Sequence, residues 1–443
     1  MPDHILITNQ IKSFNKKINV SSDKSISIRS VLLASQAVGI SKITNLLESE
    51  DVLNALKTIK KLGIKYTKIG KTYKIEGFGL NGFNIKKKTI IDAGNSGTLA
   101  RLILGLLVKT KFPVKLIGDK SLSKRDFSRV IKPLKLLGVN IKSKKDLIPI
   151  EITGTDFLRP ITYYEKIGSA QVKSCLILAA LNTPGKTIIN SKKSRDHTEI
   201  MLKYLKYPIK VQRKKNYDKI SVQGLNQFKS FNYDVPGDIS SAAFFIVLTL
   251  LSNKSKIIIK NINVNKSRTG IITILNKMGA NIKLRNRQVY NGENIANIHV
   301  ESKKKLKAIN CSPNLNSYAI DEFLIIFLLA AKASGVSSFK KLDELNKKES
   351  PRLKLGSKIL NRIGIKTIIN NGSIKIFGNP KLNIKKNIII KNFYKDHRIF
   401  MTSVIAALCF GGKWIIHDVD SHKSSFPSFL KVLKKIGSKY SLI

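Results

Sequence analysis

Cysteine is nearly absent. The chain has 443 residues and three cysteines, Cys175, Cys311 and Cys409, far apart and without metal-ligand spacing. That excludes a paired-cysteine zinc site and leaves a reducing compartment, without structural disulfides, as the simplest setting. Long apolar runs are missing as well. The longest, near Phe244–Leu251 and Phe323–Ala331, fall well short of the ~20 residues of a membrane span. Between Met1 and Gln10 no basic stretch leads into an apolar run, so no secretory signal is expected and the chain is expected to be cytoplasmic. Acidic residues are scarce: 28 Asp and Glu face 80 Lys and Arg, a formal net charge of +52. Such a balance raises nucleic-acid binding. The lysines, however, are scattered rather than gathered into a stripe, and aromatics are not interleaved with them as a base-stacking platform requires. A coding bias that puts lysine on every solvated face accounts for the pattern, and its positive field would still attract small polyanions.

Hydrophobic residues make up 42%. The length predicts two or three domains. Within it one unit recurs. A small or polar opening leads into an apolar helix at Asp23–Val38, Asn95–Val108, Ser169–Leu181, Asp238–Leu251, Ala319–Ala331 and Asp396–Leu408. The starts lie roughly 70 to 85 residues apart, longer than the period of most repeat arrays. An amphipathic, mostly Lys-rich helix follows each, at Leu53–Gly63, Val130–Gly138, Ile200–Lys206, Ile271–Gly279, Leu355–Gly364 and Phe429–Gly437. Five of these end in glycine, the expected C-cap; the third meets Tyr207-Pro208 instead. β-Branched runs such as Ser41–Leu47, Lys186–Asn190 and Trp414–His417 lie between the helices, and paired runs such as Ile64–Ile69 with Thr72–Glu76 follow. The pattern predicts an α/β protein of six units in two three-unit lobes. The sixth unit ends in a single strand, Lys439–Ile443, while the chain opens with two strand-like runs, Ile5–Thr8 and Lys17–Val20. The N-terminal segment is therefore expected to complete the C-terminal lobe, with residues 21–235 as one lobe and 1–20 plus 236–443 as the other. Two crossings would then form a hinge beside a ligand cleft.

The helix openings carry the candidate chemistry. Helix N-termini present unpaired N–H groups and partial positive charge, and so favour anions. Asp23-Lys24-Ser25-Ile26-Ser27-Ile28-Arg29 sets two cations beside hydroxyl donors. Gly94-Asn95-Ser96-Gly97-Thr98 allows close backbone approach. Ser169-Ala170-Gln171 supplies a hydroxyl and an amide, and Asp396-His397-Arg398 opens the sixth helix. Ordinary N-capping explains the Asp, Ser and Asn residues. It does not explain Lys24, Arg29 and Arg398, because a cation at a helix start opposes the dipole unless an anion is bound. Leu122-Ser123-Lys124-Arg125 and Lys347-Lys348-Glu349-Ser350-Pro351-Arg352 precede amphipathic helices. Asp321-Glu322 abuts an apolar run, as a cap or as an acid or base.

These segments together resemble the 3-phosphoshikimate 1-carboxyvinyltransferase (EPSP synthase) family. The resemblance rests on residues 23–29, 94–98 and 169–174, on Ser194-Arg195-Asp196-His197-Thr198-Glu199, and on Val235-Pro236-Gly237-Asp238. Ile320-Asp321-Glu322, Lys348-Glu349-Ser350 with Arg352, and Asp396-His397-Arg398 extend it to near Pro427. Ser169-Ala170-Gln171-Val172-Lys173-Ser174 resembles the family's second class. The resemblance implies a two-lobed inside-out α/β barrel of six βαβαββ repeats. It implies transfer of the enolpyruvyl group of phosphoenolpyruvate to the 5-hydroxyl of shikimate 3-phosphate, with no cofactor and no metal. By motif, Lys24, Ser25, Arg29, Ser169, Ala170, Gln171, Arg195, Asp321 and Lys348 would meet shikimate 3-phosphate. Lys24, Gly97, Arg125, Gln171, Arg352 and Arg398 would meet phosphoenolpyruvate. Asp321 would accept the hydroxyl proton, Glu349 would handle the proton at C3, and Lys24 would act between the substrates. A monomer without specific nucleic-acid or membrane partners is expected. The sequence departs from the family at Ser21-Ser22, at Asp126 beside Arg125, and at Ser424. The rival readings are the sister transferase acting on UDP-N-acetylglucosamine, which uses a loop cysteine, a non-catalytic RNA-binding member of the fold, and an inactive family member.

Overall fold

The structure is a computed structural model that describes residues 3–302 and 305–443; Met1 and Pro2, within the stretch read for a signal, lie outside the described residues. The chain forms two compact units. One comprises Ser22–Val235 with Tyr290–Glu293; the other comprises the N-terminal segment to Ser21, Pro236–Val289 and Asn294–Ile443. Each is built round its own apolar core.

Among the described residues, six four-stranded sheets share one topology. In the first, Asn232–Asp234 runs parallel to Val38–Thr44, which pairs antiparallel with Thr72–Phe78, itself antiparallel to Lys65–Ile69. In the last, Asn387–Ile390 runs parallel to Lys413–His417, and the third and fourth places fall to His4–Ile7 and Ser441–Leu442. The second N-terminal strand, Asn15–Ile18, lies parallel to Lys256–Asn263. The first central strand differs slightly from expectation. It begins at Val38 rather than Ser41 and stops at Thr44, because Asn45 turns to φ 55°, a conformation that leaves the pleat.

The six apolar helices form as the repeat predicts. They are Lys24–Ala34, Gly97–Leu106, Ala170–Leu181, Ile239–Leu251, Phe323–Lys332 and His397–Phe410. Their side chains are buried on nearly all sides, as an all-round apolar helix requires. The amphipathic helices bury one stripe only: Phe429–Ile436 covers Phe429, Val432, Leu433 and Ile436, the i, i+3, i+4, i+7 set of a surface helix. Lysine takes the other faces.

A close approach recurs where three of the apolar helices end. A Cβ on Gly77 would stand 2.3 Å from the carbonyl oxygen of Ala37, on Gly224 1.7 Å from that of Thr183, and on Gly378 2.1 Å from that of Ala333. Only glycine lets the strand end pass the helix end at that distance.

The turn Val419–Ser424 puts His422 against the rings of Phe400 and Phe429. Burial first, then Lys423, pushes its pKa down from 6.5 to about 4. A folded-state pKa below the unfolded one means the fold prefers neutral histidine. The contribution is complete above pH 6.5 and is lost as the pH falls toward about 4, at a cost of roughly 3 kcal/mol. His422→Gln should flatten the decline of melting temperature over that interval relative to the parent; parallel curves would show that His422 does not set it.

Candidate active site

Five of the six apolar helices open on a side-chain cap. Asp23 accepts from the Ile26 amide, Ser96 from Leu99, Ser169 from Val172, Asp238 from Ser240 and Asp396 from Arg398. The capping reading of these residues therefore holds. The exception is Phe323–Lys332, where Glu322 makes no side-chain cap bond. There the carboxylates turn to other partners.

In the unit that holds Asp321, a fully buried guanidinium organises the carboxylates. Arg352 Nε donates to Asp396 Oδ2 at 2.8 Å, and Nη2 donates to Asp396 Oδ1 at 3.2 Å and to Glu349 Oε2 at 2.6 Å. Its Nη1 reaches Asp321 Oδ1 at 3.5 Å. Burial alone would lower the Arg352 pKa, yet Asp396, Glu349 and Asp321 together raise it above its ordinary value. Burial likewise raises Asp396, but Arg352 outweighs it and holds the carboxyl below its usual range. Ser350 Oγ donates to Asp396 as well, at 2.7 Å. Asp321 is shared among three cations: Lys348 Nζ at 3.4 Å, Arg352, and Arg398 Nη2 at 4.0 Å. Arg398 Nη1 also donates to the Asp321 carbonyl at 2.8 Å. Glu322 accepts from Ser240 Oγ, which in turn accepts from Arg268 Nη2 at 2.7 Å. All five residues expected in this half, Asp321, Lys348, Glu349, Arg352 and Arg398, thus meet in one network. Asp396, foreseen only as part of a helix opening, is the clamp on Arg352.

The other unit carries the remaining nine. Lys24 Nζ lies 2.9 Å from Asp51 Oδ2 at the start of the helix Glu50–Lys61, an internal anion that relieves its conflict with the dipole. Ser25 gives its carbonyl to Arg29 Nη1 at 3.0 Å. Arg29 Nε donates to Thr198 Oγ1 at 2.8 Å and Nη2 to Ser174 Oγ at 2.9 Å, which ties three helices together. Below Ser174, Lys173 and Glu199 form a buried pair at 2.8 Å. Ser169 and Ala170 begin their helix, and half-buried Arg195 precedes His197–Tyr204.

A further cation, missed in the sequence, joins the rest. Arg101 Nη1 donates to Gln171 Oε1 at 3.1 Å and to the Gly97 carbonyl at 3.2 Å; Nη2 donates to the Asp126 carbonyl at 3.1 Å. Its guanidinium lies over the Phe127 ring, 4.6 Å from the centroid. Gln171 Nε2 donates to Thr98 Oγ1 at 3.0 Å, and Arg125 Nη2 to Asn95 Oδ1 at 2.7 Å. Arg101 stands one helical turn after Gly97, and that spacing was the available signal. Asp126, the second departure, turns away from its sequence neighbour. Its carboxylate accepts from the amide and hydroxyl of Ser128, not from Arg125. Partial burial raises its pKa, but those bonds outweigh it and keep it low. Ser424, the third departure, lies 3.2 Å from His397 Nδ1.

A family model described as EPSP synthase (3-phosphoshikimate 1-carboxyvinyltransferase) matches residues 8–433. The chain belongs to the EPSP synthase family. A protein named 3-phosphoshikimate 1-carboxyvinyltransferase from Ruthia magnifica is 42% identical over 96% of this chain and 96% of its own. One of the same name from Clostridium tetani is 38% identical over 97% and 96%. Among solved structures, an EPSP synthase from Acinetobacter baumannii superposes with a TM-score of 0.87 at 34% identity, covering 99% of each chain. The enolpyruvyl transferase NikO from Streptomyces tendae, 13% identical over 100% of this chain and 99% of its own, shares the fold with a TM-score of 0.74. The two-lobed α/β architecture expected of an EPSP synthase is thus the one observed.

Gly97 is a sharp test of the arginine cluster. A Cβ there would lie 2.8 Å from Arg125 Nη1 and 2.9 Å from Arg101 Nη1. Both neighbours are ends of flexible side chains, so Gly97→Ala should cost little melting temperature while displacing both guanidinia. If Arg125 meets phosphoenolpyruvate as the resemblance implies, a rise of about tenfold in its KM is expected, ~1.4 kcal/mol; an unchanged KM in a folded variant would count against that role.

Proposed function

We propose that this chain joins phosphoenolpyruvate to shikimate 3-phosphate, giving 5-enolpyruvylshikimate 3-phosphate and phosphate, a step of the shikimate route to chorismate and the aromatic amino acids. The observation that carries the reading is the sharing of Arg352 by Asp321 and Glu349, with Lys348 and Arg398 on the same carboxylate. Two acidic groups fixed at 2.6 and 3.5 Å on one guanidinium suit two proton transfers made in a single reaction.

The reaction is an addition followed by an elimination. C3 of phosphoenolpyruvate takes a proton handled by Glu349, while the 5-hydroxyl attacks C2 and gives its proton to Asp321. The tetrahedral adduct then loses phosphate, and a proton leaves C3 to restore the enol ether. The site must balance two phosphates and two carboxylates. Arg125, Arg352 and Arg398 offer planar forks to phosphoenolpyruvate, with Gly97 leaving room for them. Lys24, Ser25, Arg29, Ser169, Ala170, Gln171, Arg195 and Lys348 serve shikimate 3-phosphate, and Lys24 and Gln171 reach both substrates. Substrate anions would take over cations that now rest on Asp51 and Asp321. Arg101 is a positioning residue that holds Gln171.

The cysteine-dependent sister reaction fits poorly. Cys175 and Cys311 are buried, and burial pushes their thiols up to about 12 and about 11; Cys409 is raised too. A thiolate nucleophile at neutral pH is therefore disfavoured. Three cysteines that are all free and buried suit a reducing cytoplasm.

Phosphate release from a mixture of the two substrates tests the reading, and intact protein that releases none would sink it. Asp321→Ala should lower turnover by about 10²–10⁴-fold, the usual worth of a general base, with shikimate 3-phosphate binding still measurable. Near-normal turnover would move the base elsewhere.

A further inference from the structure

Apart from the residues assigned above, one cluster combines two imidazoles with a carboxylate. His4 and His417 are direct antiparallel partners across the strands His4–Ile7 and Lys413–His417. Their rings lie 5.1 Å apart at an interplanar angle of 33°. Asp3 joins them, its Oδ2 3.3 Å from His417 Nδ1. One ligand atom from each residue lies within 4.8 Å of the others.

The composition makes the grouping pointed. The chain has six histidines and 28 acidic residues among 80 basic ones, yet two histidines and one acid converge here. A surface shaped only by scattered lysine would not bring them together. The pair is the last of its ladder, and the rungs behind it, Ile5–Ile416 and Leu6–Ile415, set the two rings as neighbours. Asp3 is also held by its backbone, since its carbonyl accepts from the Val419 amide at 3.2 Å. Neutral imidazole with carboxylate is a donor set for zinc and its first-row neighbours, not for calcium or magnesium.

We propose that Asp3, His4 and His417 bind one divalent ion of the zinc class. Zinc bonds of ~2.0–2.1 Å separate tetrahedral ligand atoms by about 3.4 Å. Side-chain rotation closes the difference from 4.8 Å, and the Asp3 carboxylate, 73% exposed, is free to make it. Three protein ligands leave one position to water. The ion would pin His4–Ile7, the third strand of its sheet, to its neighbour Lys413–His417. It would act on stability rather than on the reaction, because an ion bound only by the folded form stabilises it by mass action.

The test is calorimetric titration of the untagged full chain with zinc chloride, alongside His4→Gln, His417→Gln and Asp3→Asn. One ion per chain is expected, with affinity at least tenfold weaker in each histidine variant and less weakened in Asp3→Asn. Zinc should raise the melting temperature of the parent and leave that of the double histidine variant unmoved. No stoichiometric binding to the parent, or equal binding to the double variant, overturns the proposal. If a histidine variant fails to fold, Asp3→Asn decides alone: the exposed carboxylate can be changed without loss of fold, and unaltered affinity then rejects the site.

Discussion

A helix that is apolar on every side has no face to leave in water, and this chain contains six. Each must be wrapped, and beside each stand a four-stranded sheet and an amphipathic helix, some of the sheets completed by strands from elsewhere in the chain. What remains unsolved is the polar end. The first amides of a buried helix need partners, and those partners must be brought in from the preceding loop. Five helices meet the need with Asp23, Ser96, Ser169, Asp238 and Asp396. The capping residues stand directly before the first helical turns, which carry Lys24, Gly97, Gln171 and Arg398. Chemistry is therefore concentrated where the fold already has to place polar groups.

Scarce acid is spent with economy in such a chain. Asp51, Glu199, Asp321, Glu349 and Asp396 each sit on a cation that is wholly or largely withdrawn from water. Breaking one buried pair of this kind leaves an uncompensated charge and costs about 3–5 kcal/mol. Arg352 shows how the two demands combine. Asp396 fixes its guanidinium from behind through Nε, which aims Nη1 and Nη2 at Asp321 and Glu349. The same arginine is thus a structural core residue and the proposed holder of a substrate anion.

The repeat was legible because a run of apolar residues without polar interruption has one physical outcome, and the glycine stops give its length. The openings were legible for the same reason: Lys24 and Arg398 are out of place in a cap. Partners drawn from other elements were not. Asp51 is 27 positions from Lys24, Gln171 is 70 from Arg101, and Asp396 is 44 from Arg352, and no periodicity relates them. Thr98 and Ser174 are equally silent, since a hydroxyl on an apolar helix reads as an ordinary core residue. Adjacency is no guide to contact either: Asp126 follows Arg125 in the sequence, yet its carboxylate accepts from Ser128. Specific ligand identity came from the motifs and not from these forces.

The strand-end glycines have a further consequence, for how such a protein tolerates change. At Gly77, Gly224 and Gly378 a neighbouring carbonyl oxygen occupies the space of a side chain, so no other residue fits without moving main chain. The outward faces carry no such limit, and isoleucine, asparagine and lysine fill them freely. A drifting genome can therefore rewrite most of this surface while the architecture stays put. The positions that resist are small, few and unremarkable in composition: a handful of glycines that contribute nothing but the absence of a side chain.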